Sequence, residues 1–151
     1  MGESRGRAHN ESERTETTDN QSLTADKTTL ASADSLTTGQ GNDITGAFTF
    51  TTQSTSNTEE NTTISNQLLS RVLSSEVAVT VTSQSSGNSV TGTFSSTETC
   101  VQTTTSTDLQ TNQGEILTVT TSGSQNVVTT ATGNSITQAS TGSSTGTGST
   151  T

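Results

Sequence analysis

A five-residue phrase, Gly-Asn-[Asp/Ser]-[Ile/Val]-Thr, occurs three times in the chain at equal intervals. Its copies begin at Gly41, Gly87 and Gly133, so each copy follows the previous one by 46 residues. Equal spacing of a matched phrase is typical of an internal repeat, in which each unit contributes one supersecondary element. The sequence therefore predicts repeat units at 41–86 and 87–132, followed by a partial unit at 133–151.

The composition limits what such units can build. Only 23% of the 151 residues are hydrophobic, whereas Ser and Thr together supply 64 residues. Ordering the chain costs roughly 1.5 kcal/mol per residue, and so few large apolar side chains cannot offset that cost in a compact core. Two alternatives remain, namely thin sheets with stacked Thr and Val faces or a disordered chain. The many Thr and Val residues favour the sheets because both are β-formers.

The middle copy of the phrase predicts a β-hairpin. Gly accepts a positive φ without a Cβ clash, so Gly87-Asn88 is expected as a two-residue loop between two strands. This loop places Val81 opposite Phe94. Alternation along the strands then separates an apolar face from a Thr and Ser face. The apolar face comprises Val77, Val79, Val81, Val90, Gly92 and Phe94.

The predicted fold class is all-β, an antiparallel meander of hairpin repeats with a period of 46 residues and disordered N- and C-terminal tails. Residues 1–28 contain ten of the 19 acidic and basic residues and are predicted to form a charged, disordered tail. Residues 29–139 form the Thr-rich β-repeat region. Residues 140–151 contain only Gly, Ser and Thr and are predicted to form a flexible tail.

One segment leaves two conformations open. Leucine and valine side chains at 68, 69, 72 and 73 follow helical spacing, which favours a short helix. The corresponding residues of the next unit, 114–119, have the pattern of a strand. Because repeat units tend to share a conformation, a strand is the preferred interpretation of 66–73.

The single cysteine and single histidine exclude several kinds of site. An intramolecular disulfide needs two thiols, and a Cys/His zinc site needs more such ligands than the chain contains. A catalytic triad would have to use His9, which lies in the predicted tail. Cys100 is expected to be a half-buried strand residue. We predict no catalytic, cofactor-binding or metal-binding residue, and we do not expect the chain to be an enzyme.

Two weaker patterns have simpler explanations. Three Asn-x-Ser/Thr sequons lie at Asn10, Asn20 and Asn61. They are expected by chance in a chain so rich in Ser and Thr. The oxygen-bearing pairs Asn42-Asp43 and Glu59-Glu60 could supply Ca²⁺ ligands, but Asp43 is replaced by Ser in the other two copies of the phrase. A solvated turn is the preferred interpretation.

The charge balance bears on partners and location. A net charge of −9 argues against binding to nucleic acid or to anionic membranes. No apolar run is long enough to insert into a membrane, and no secretory signal is visible. We expect a cytoplasmic location if the chain is complete as given, and an extracellular or cell-surface location if it belongs to a larger protein. No partner is identified, although open strand edges favour self-association.

The longer phrase Gly-Asn-[Asp/Ser]-[Ile/Val]-Thr-Gly-x-Phe, at 41–48 and 87–94, resembles a known repeat. It is similar to the Thr-rich GNxxTGxY/F repeats of large bacterial surface-type proteins, including ones that carry RHS-type repeats. The resemblance extends over about residues 29 to 138. Those repeats more often have Tyr at the aromatic position, where this chain has Phe48, Phe94 and, in the third copy, Ser140. The resemblance implies a noncatalytic scaffold and supplies no site residue.

Three functional hypotheses follow. The leading one is a noncatalytic β-repeat scaffold or spacer segment of a bacterial surface-type protein. The second is an intrinsically disordered, acidic, Ser/Thr-rich linker. The third is a lipocalin-like binder of a small apolar ligand, which would need about eight strands around an apolar cavity.

Overall fold

The structure, a computed structural model, describes residues 2–20 and 22–151. The described residues form one sheet of seven antiparallel strands, arranged in chain order, and contain no helix. The strands are β1 (Gly2–Asn20), β2 (Leu23–Gly41), β3 (Ala47–Asn66), β4 (Leu69–Asn88), β5 (Thr93–Asn112), β6 (Glu115–Asn134) and β7 (Ala139–Thr150). The prediction of an all-β, antiparallel fold is confirmed.

The length of the strands follows from the sequence. Six of the seven strands have 19 or 20 residues, and β2 to β6 are rich in small polar and β-branched side chains. The chain contains no Pro, so no strand loses a backbone N–H to a pyrrolidine ring. Each pair of neighbours keeps one register from end to end, which gives ladders of up to 20 residue pairs.

Two kinds of connection alternate along the meander. Two-residue turns at 67–68 and 113–114 join β3 to β4 and β5 to β6, and Gln67, Gln113 and Gly114 have positive φ angles of 51°, 51° and 90°. The longer connections at 42–46, 89–92 and 135–138 lie at the opposite end of the sheet.

The predicted two-residue loop at Gly87-Asn88 is wrong. The structure instead pairs Asn88 with Thr93 across a four-residue connection, and it places Val81 opposite Cys100 instead of Phe94. The physical reason lies in the Asn88 side chain, which accepts backbone N–H groups of the connection and so stabilises a wider turn. The positive φ that was expected at Gly87 occurs at Gly92, where it is 75°.

The prediction of disordered tails is also corrected. Residues 2–20 form β1, which pairs along its full length with β2, and residues 139–150 form β7, which pairs with β6. In both segments the neighbouring strand supplies hydrogen-bond partners for the backbone. Met1 and Gln21, which the predicted N-terminal tail also includes, lie outside the described residues.

The segment at 66–73 adopts the strand alternative. Asn66 ends β3, a two-residue turn follows, and Leu69 begins β4. Leu69 pairs with Asn66 on one side and with Asn112 on the other, so its backbone bonds belong to the sheet.

The sheet is a single layer. No hydrophobic side chain among the described residues is buried, and the accessible surface is 10259 Å². A compact monomer of 15.4 kDa would expose about 7,200 Å². The three buried residues in the described part of the chain are glycines, Gly39, Gly46 and Gly92.

The continuous registers assign every strand residue to one of two faces, because paired residues point to the same side of a sheet. Face A carries the even-numbered residues of β1, β3, β5 and β7 and the odd-numbered residues of β2, β4 and β6. Face B carries the others. The register found for β4 and β5 differs from the predicted one by six residues, an even number (Cys100 instead of Phe94). Val77, Val79, Val81 and Phe94 therefore still share a face, which is face A.

Candidate functional surfaces

Each of the three phrase copies forms the same loop at one end of the sheet. The Oδ1 atom of the Asn accepts two backbone N–H groups of its own loop. For Asn88 the donors are Val90 at 2.9 Å and Thr91 at 3.0 Å. Asn42 and Asn134 accept the N–H groups of the equivalent residues at 2.9 to 3.1 Å. This is an Asx turn, in which a side chain replaces a backbone acceptor.

Neighbouring loops are also bonded to each other. Asn88 Nδ2 donates to the Thr45 carbonyl at 2.9 Å, and the Ser89 N–H donates to the Gly46 carbonyl at 2.8 Å. The third loop repeats both bonds to the second at the same distances, from Asn134 and Ser135. We call this bonded row of loops, at 42–46, 88–92 and 134–138, the loop ladder.

Glycine is required where one loop lies on the next. A Cβ added at Gly46 would lie 2.7 Å from Val90 Cγ2, and one added at Gly92 would lie 2.6 Å from Ile136 Cγ1. Both glycines also have positive φ angles, 71° and 75°. The equivalent residue of the third loop is Gln138, a non-glycine residue with a φ of 58°. Gln138 therefore carries a Cβ at the position where Gly46 and Gly92 have none and where the following loop packs.

Face A carries aromatic rings packed over glycines. The Phe48 ring lies against Gly87 on β4, and the Phe94 ring lies against Gly133 on β6, with ring atoms at 2.7 Å from an added Cβ in both cases. Aromatic side chains on neighbouring strands often cover strand glycines in this way. Phe50 covers Gly39 on β2 in the same manner.

Further along face A, the valines of β4 lie beside small side chains. Val79 and Val81 border a shallow hollow of about 240 Å³ that is lined mainly by Ala and Ser residues of β1, β2 and β3. Cys100 pairs with Val81 on one side and with Val127 on the other, and it is half-buried in β5 as expected.

Two ion-pair groups link strands. On face B, Asp34 Oδ1 lies 2.9 Å from His9 Nδ1 and 3.5 Å from Arg7 Nη2. The hydrogen bond from His9 is the main cause that holds the pKa of Asp34 below its usual value. On face A, Arg71 donates two hydrogen bonds to Asp108, at 2.9 Å and 2.5 Å. These bonds lower the pKa of Asp108 and raise that of Arg71.

The structure separates the residues considered for catalysis or calcium binding. His9 lies in β1, and its second ring nitrogen is 3.4 Å from Glu11 Oε1, so a carboxylate occupies the side where a triad needs a nucleophile. The pair Asn42-Asp43 lies in a loop, whereas Glu59-Glu60 lies about 40 Å along β3. Among the described residues, no three His, Cys, Asp or Glu side chains are grouped closely enough to hold a metal ion.

A hollow of about 600 Å³ on the β5–β7 part of the sheet also lacks the features of a reactive site. Its lining consists of Gly, Ser, Thr and Gln residues and includes no ionisable side chain. Binding pockets usually combine apolar walls with a few convergent polar or charged groups. The features that distinguish the molecule are therefore its loop ladder and its two faces.

No known family model and no curated protein sequence matches this chain. In the part of the chain that the structure describes, no helix has the length and hydropathy needed to cross a bilayer.

Proposed function

We propose that the chain is a noncatalytic β-repeat scaffold or spacer segment, of the kind found in bacterial surface-type proteins. Each 46-residue unit would supply two long strands, one two-residue turn and one Asn-led loop. Repeat proteins of this kind extend by adding units that contact mainly their neighbours. In a larger surface protein such a segment would lie outside the cell and set the distance between other parts.

The loop ladder is the observation that carries the proposal. Asn88 and Asn134 make the same bonds, with the same partners 43 residues earlier in the chain, at the same distance of 2.9 Å. A geometry that recurs with each copy of the phrase supports a unit that can be added or removed without changing its neighbours. The matched phrase and the recurring bonds are independent of the Thr-rich composition.

The two alternatives have less support. An acidic, disordered linker would have no lasting partner for its backbone, whereas strands of 19 or 20 residues pair along their length here. A lipocalin-like binder would need a closed barrel. The sheet of the described residues is open, with β1 and β7 at its two edges. These edges carry unpaired backbone groups, which are a general route to self-association of open sheets.

Two deletions test the repeat unit. Removal of the 46 residues 55–100 joins Ser54 to Val101 and leaves a fused strand of the same length as β3. We expect a five-stranded sheet with a cooperative thermal transition in far-UV circular dichroism. Removal of the 45 residues 55–99 joins Ser54 to Cys100 and adds one residue to the fused strand. That residue moves one part of the strand to the opposite face, so we expect a clearly lower melting temperature.

Equal melting of the two variants would contradict a 46-residue unit. A coil spectrum without a transition in the full chain and in both variants would instead support the disordered linker. A rise in the melting temperature of the full chain on addition of a small apolar ligand would support the lipocalin-like alternative.

A further inference from the structure

We propose that one half of face A is a contact surface through which two copies of this chain pack face to face as a two-layer sandwich. This half extends from the loop ladder to the middle of the strands. It comprises the face A residues within 2–12, 29–41, 48–58, 75–87, 94–106, 121–133 and 140–150. We call it the neutral half of face A. The proposal does not depend on the scaffold function, because it concerns the covering of an apolar face and not the repeat unit.

This surface carries all the aromatic rings of phenylalanine in the chain and a row of valines. All three phenylalanines of the chain lie on it, together with the three consecutive face A valines of β4. Its main apolar side chains are Phe48, Phe50, Val77, Val79, Val81, Phe94, Cys100 and Val127. A sheet with an apolar face is stable in water when a second layer covers that face. The described residues supply no second layer.

Charge separates the two faces in a way that favours contact through this surface. The strand ranges that form the neutral half contain seven acidic and basic residues. Of these seven, only Glu98 lies on face A, and the other six lie on face B. The same stretch of β1 places Glu3, Arg5, Arg7 and Glu11 on face B.

The remaining charges of face A lie in its other half. The three cations there are paired, Arg14 with Glu16, Lys27 with Glu60 and Arg71 with Asp108. Most of the net charge of −9 is therefore carried by face B, and repulsion between two copies is smallest when their neutral halves meet.

The available area is sufficient for a stable dimer. The chain exposes 10259 Å², about 3,000 Å² more than a compact monomer of its mass would expose. A standard interface buries about 800 Å² on each partner. Two copies related by a twofold axis would bring the same surface together, as in most homodimers.

A face contact fits the structure better than extension of the loop ladder at the β7 edge. At Gly46 and Gly92 the next loop lies within 3 Å of the space that a Cβ would occupy. The equivalent residue, Gln138, also has a positive φ, 58°, and carries a Cβ at this position. A second copy therefore cannot add a fourth loop there with the same contacts.

Glu98 makes the proposal testable by a gain of affinity. It is exposed, lies on the same face as Cys100 two residues away, and has no ion-pair partner among the described residues. In the dimer its carboxylate would lose water without gaining a cation, which is costly. Glu98→Gln should therefore lower the dimer dissociation constant about tenfold or more, as measured by analytical ultracentrifugation of the full chain. Poor folding of a variant cannot mimic such a gain.

The matched control is Glu76→Gln. Glu76 lies on β4, next to β5, but on face B, and its replacement changes the net charge by the same amount. We expect it to leave the dissociation constant unchanged. Equal tightening by both variants would show general charge repulsion and would overturn the proposal, as would a wild-type chain that stays monomeric at about 100 μM.

Cysteine labelling identifies the face in contact. Cys100 lies on face A, whereas its neighbour Val101 lies on face B and is 38% exposed. The rate of maleimide labelling of Cys100 should fall as the protein concentration rises through the dissociation constant. In the Cys100→Ser, Val101→Cys variant it should not fall. Self-association with Cys100 still reactive would indicate contact through strand edges and would overturn the face-to-face dimer.

Discussion

At Asn88 a single side chain closes its own loop and joins that loop to the one before it. Its Oδ1 atom accepts two N–H groups, and its Nδ2 atom donates to the Thr45 carbonyl. Asn42 makes the same two bonds within its own loop. Within the described residues it has no earlier loop to which it could donate. A comparison of Asn88 with Asn42 therefore distinguishes the bonds that close a loop from the bond that joins two loops.

Replacement of Asn88 by Ala should lower the free energy of unfolding by about 2 to 3 kcal/mol, because three hydrogen bonds are lost. Asn42→Ala should lower it by about 1 kcal/mol less, since it loses only the two bonds within the loop. Urea denaturation followed by circular dichroism measures both values. Equal losses would show that the bond between loops contributes nothing to stability.

Gly92 offers a second comparison at the same scale. Gly92 and Gly114 both have positive φ angles, 75° and 90°, so Ala is strained at either position. A Cβ at Gly92 would meet the Ile136 and Asn134 side chains within 3 Å, whereas one at Gly114 would meet nothing within 4 Å. We expect Gly92→Ala to be the more destabilising by about 1 to 3 kcal/mol in denaturant unfolding. A larger effect at Gly114 would contradict the packing between loops.

At the scale of the strand, ion pairs join neighbours whose backbones are already bonded. Arg71 on β4 and Asp108 on β5 are linked by two hydrogen bonds, and their side chains are 41% and 26% exposed. The lowered pKa of Asp108 means that the folded state favours the carboxylate. The pair therefore stabilises the folded state above the usual carboxyl pKa, and this contribution is lost as the pH falls through the pKa of folded Asp108.

The lowered pKa of Asp108 predicts how the stability of the Asp108→Asn variant depends on pH. The variant should melt at a lower temperature than the wild type at neutral pH, and the difference should shrink towards zero in acid. It should also shrink in high salt, because both groups are partly exposed. Thermal scans between pH 7 and pH 2 at two salt concentrations measure the effect. A difference that does not change with pH would mean that Asp108 acts through packing and not through its charge.

At the scale of the whole molecule, the central strands of the single-layer sheet have more neighbouring strands than the outer ones. Each of β2 to β6 has a strand on both sides, whereas β1 and β7 have one neighbour each. Next to the turn at 113–114, residues 115–121 of β6 are paired with β5 but not with β7, because β7 pairs with β6 only from Gly123 onward and Thr151 bonds to Ser122.

Hydrogen exchange measured by mass spectrometry should follow this arrangement. Amides of β3, β4 and β5 should be the most protected, and those of β7 and of the 115–121 segment should exchange faster. Peptides from residues 2–20 give an internal comparison, since β1 is an edge strand that is paired along its full length. Uniformly fast exchange throughout the chain would contradict the sheet and support the disordered linker.

Much of the local structure could be predicted from the residues. The abundance of Thr and Val and the absence of Pro indicate strands, and alternation places Val77, Val79, Val81 and Phe94 on one face. The register between β4 and β5 could not be predicted in this way. It depends on hydrogen bonds from the Asn88 side chain that widen the connection to four residues. The Phe94 ring lies over Gly133 on β6 and not opposite Val81, so its contact also depends on a strand distant in the sequence.

The sequence alone determined that this chain forms antiparallel strands with two different faces, because side-chain alternation in a strand is a local property with a period of two. The tertiary structure decided the register, the bonding of one loop to the next and the inclusion of β1 and β7. These features arise from backbone and side-chain hydrogen bonds between residues up to 43 positions apart in the loops, and composition carries no record of such pairings.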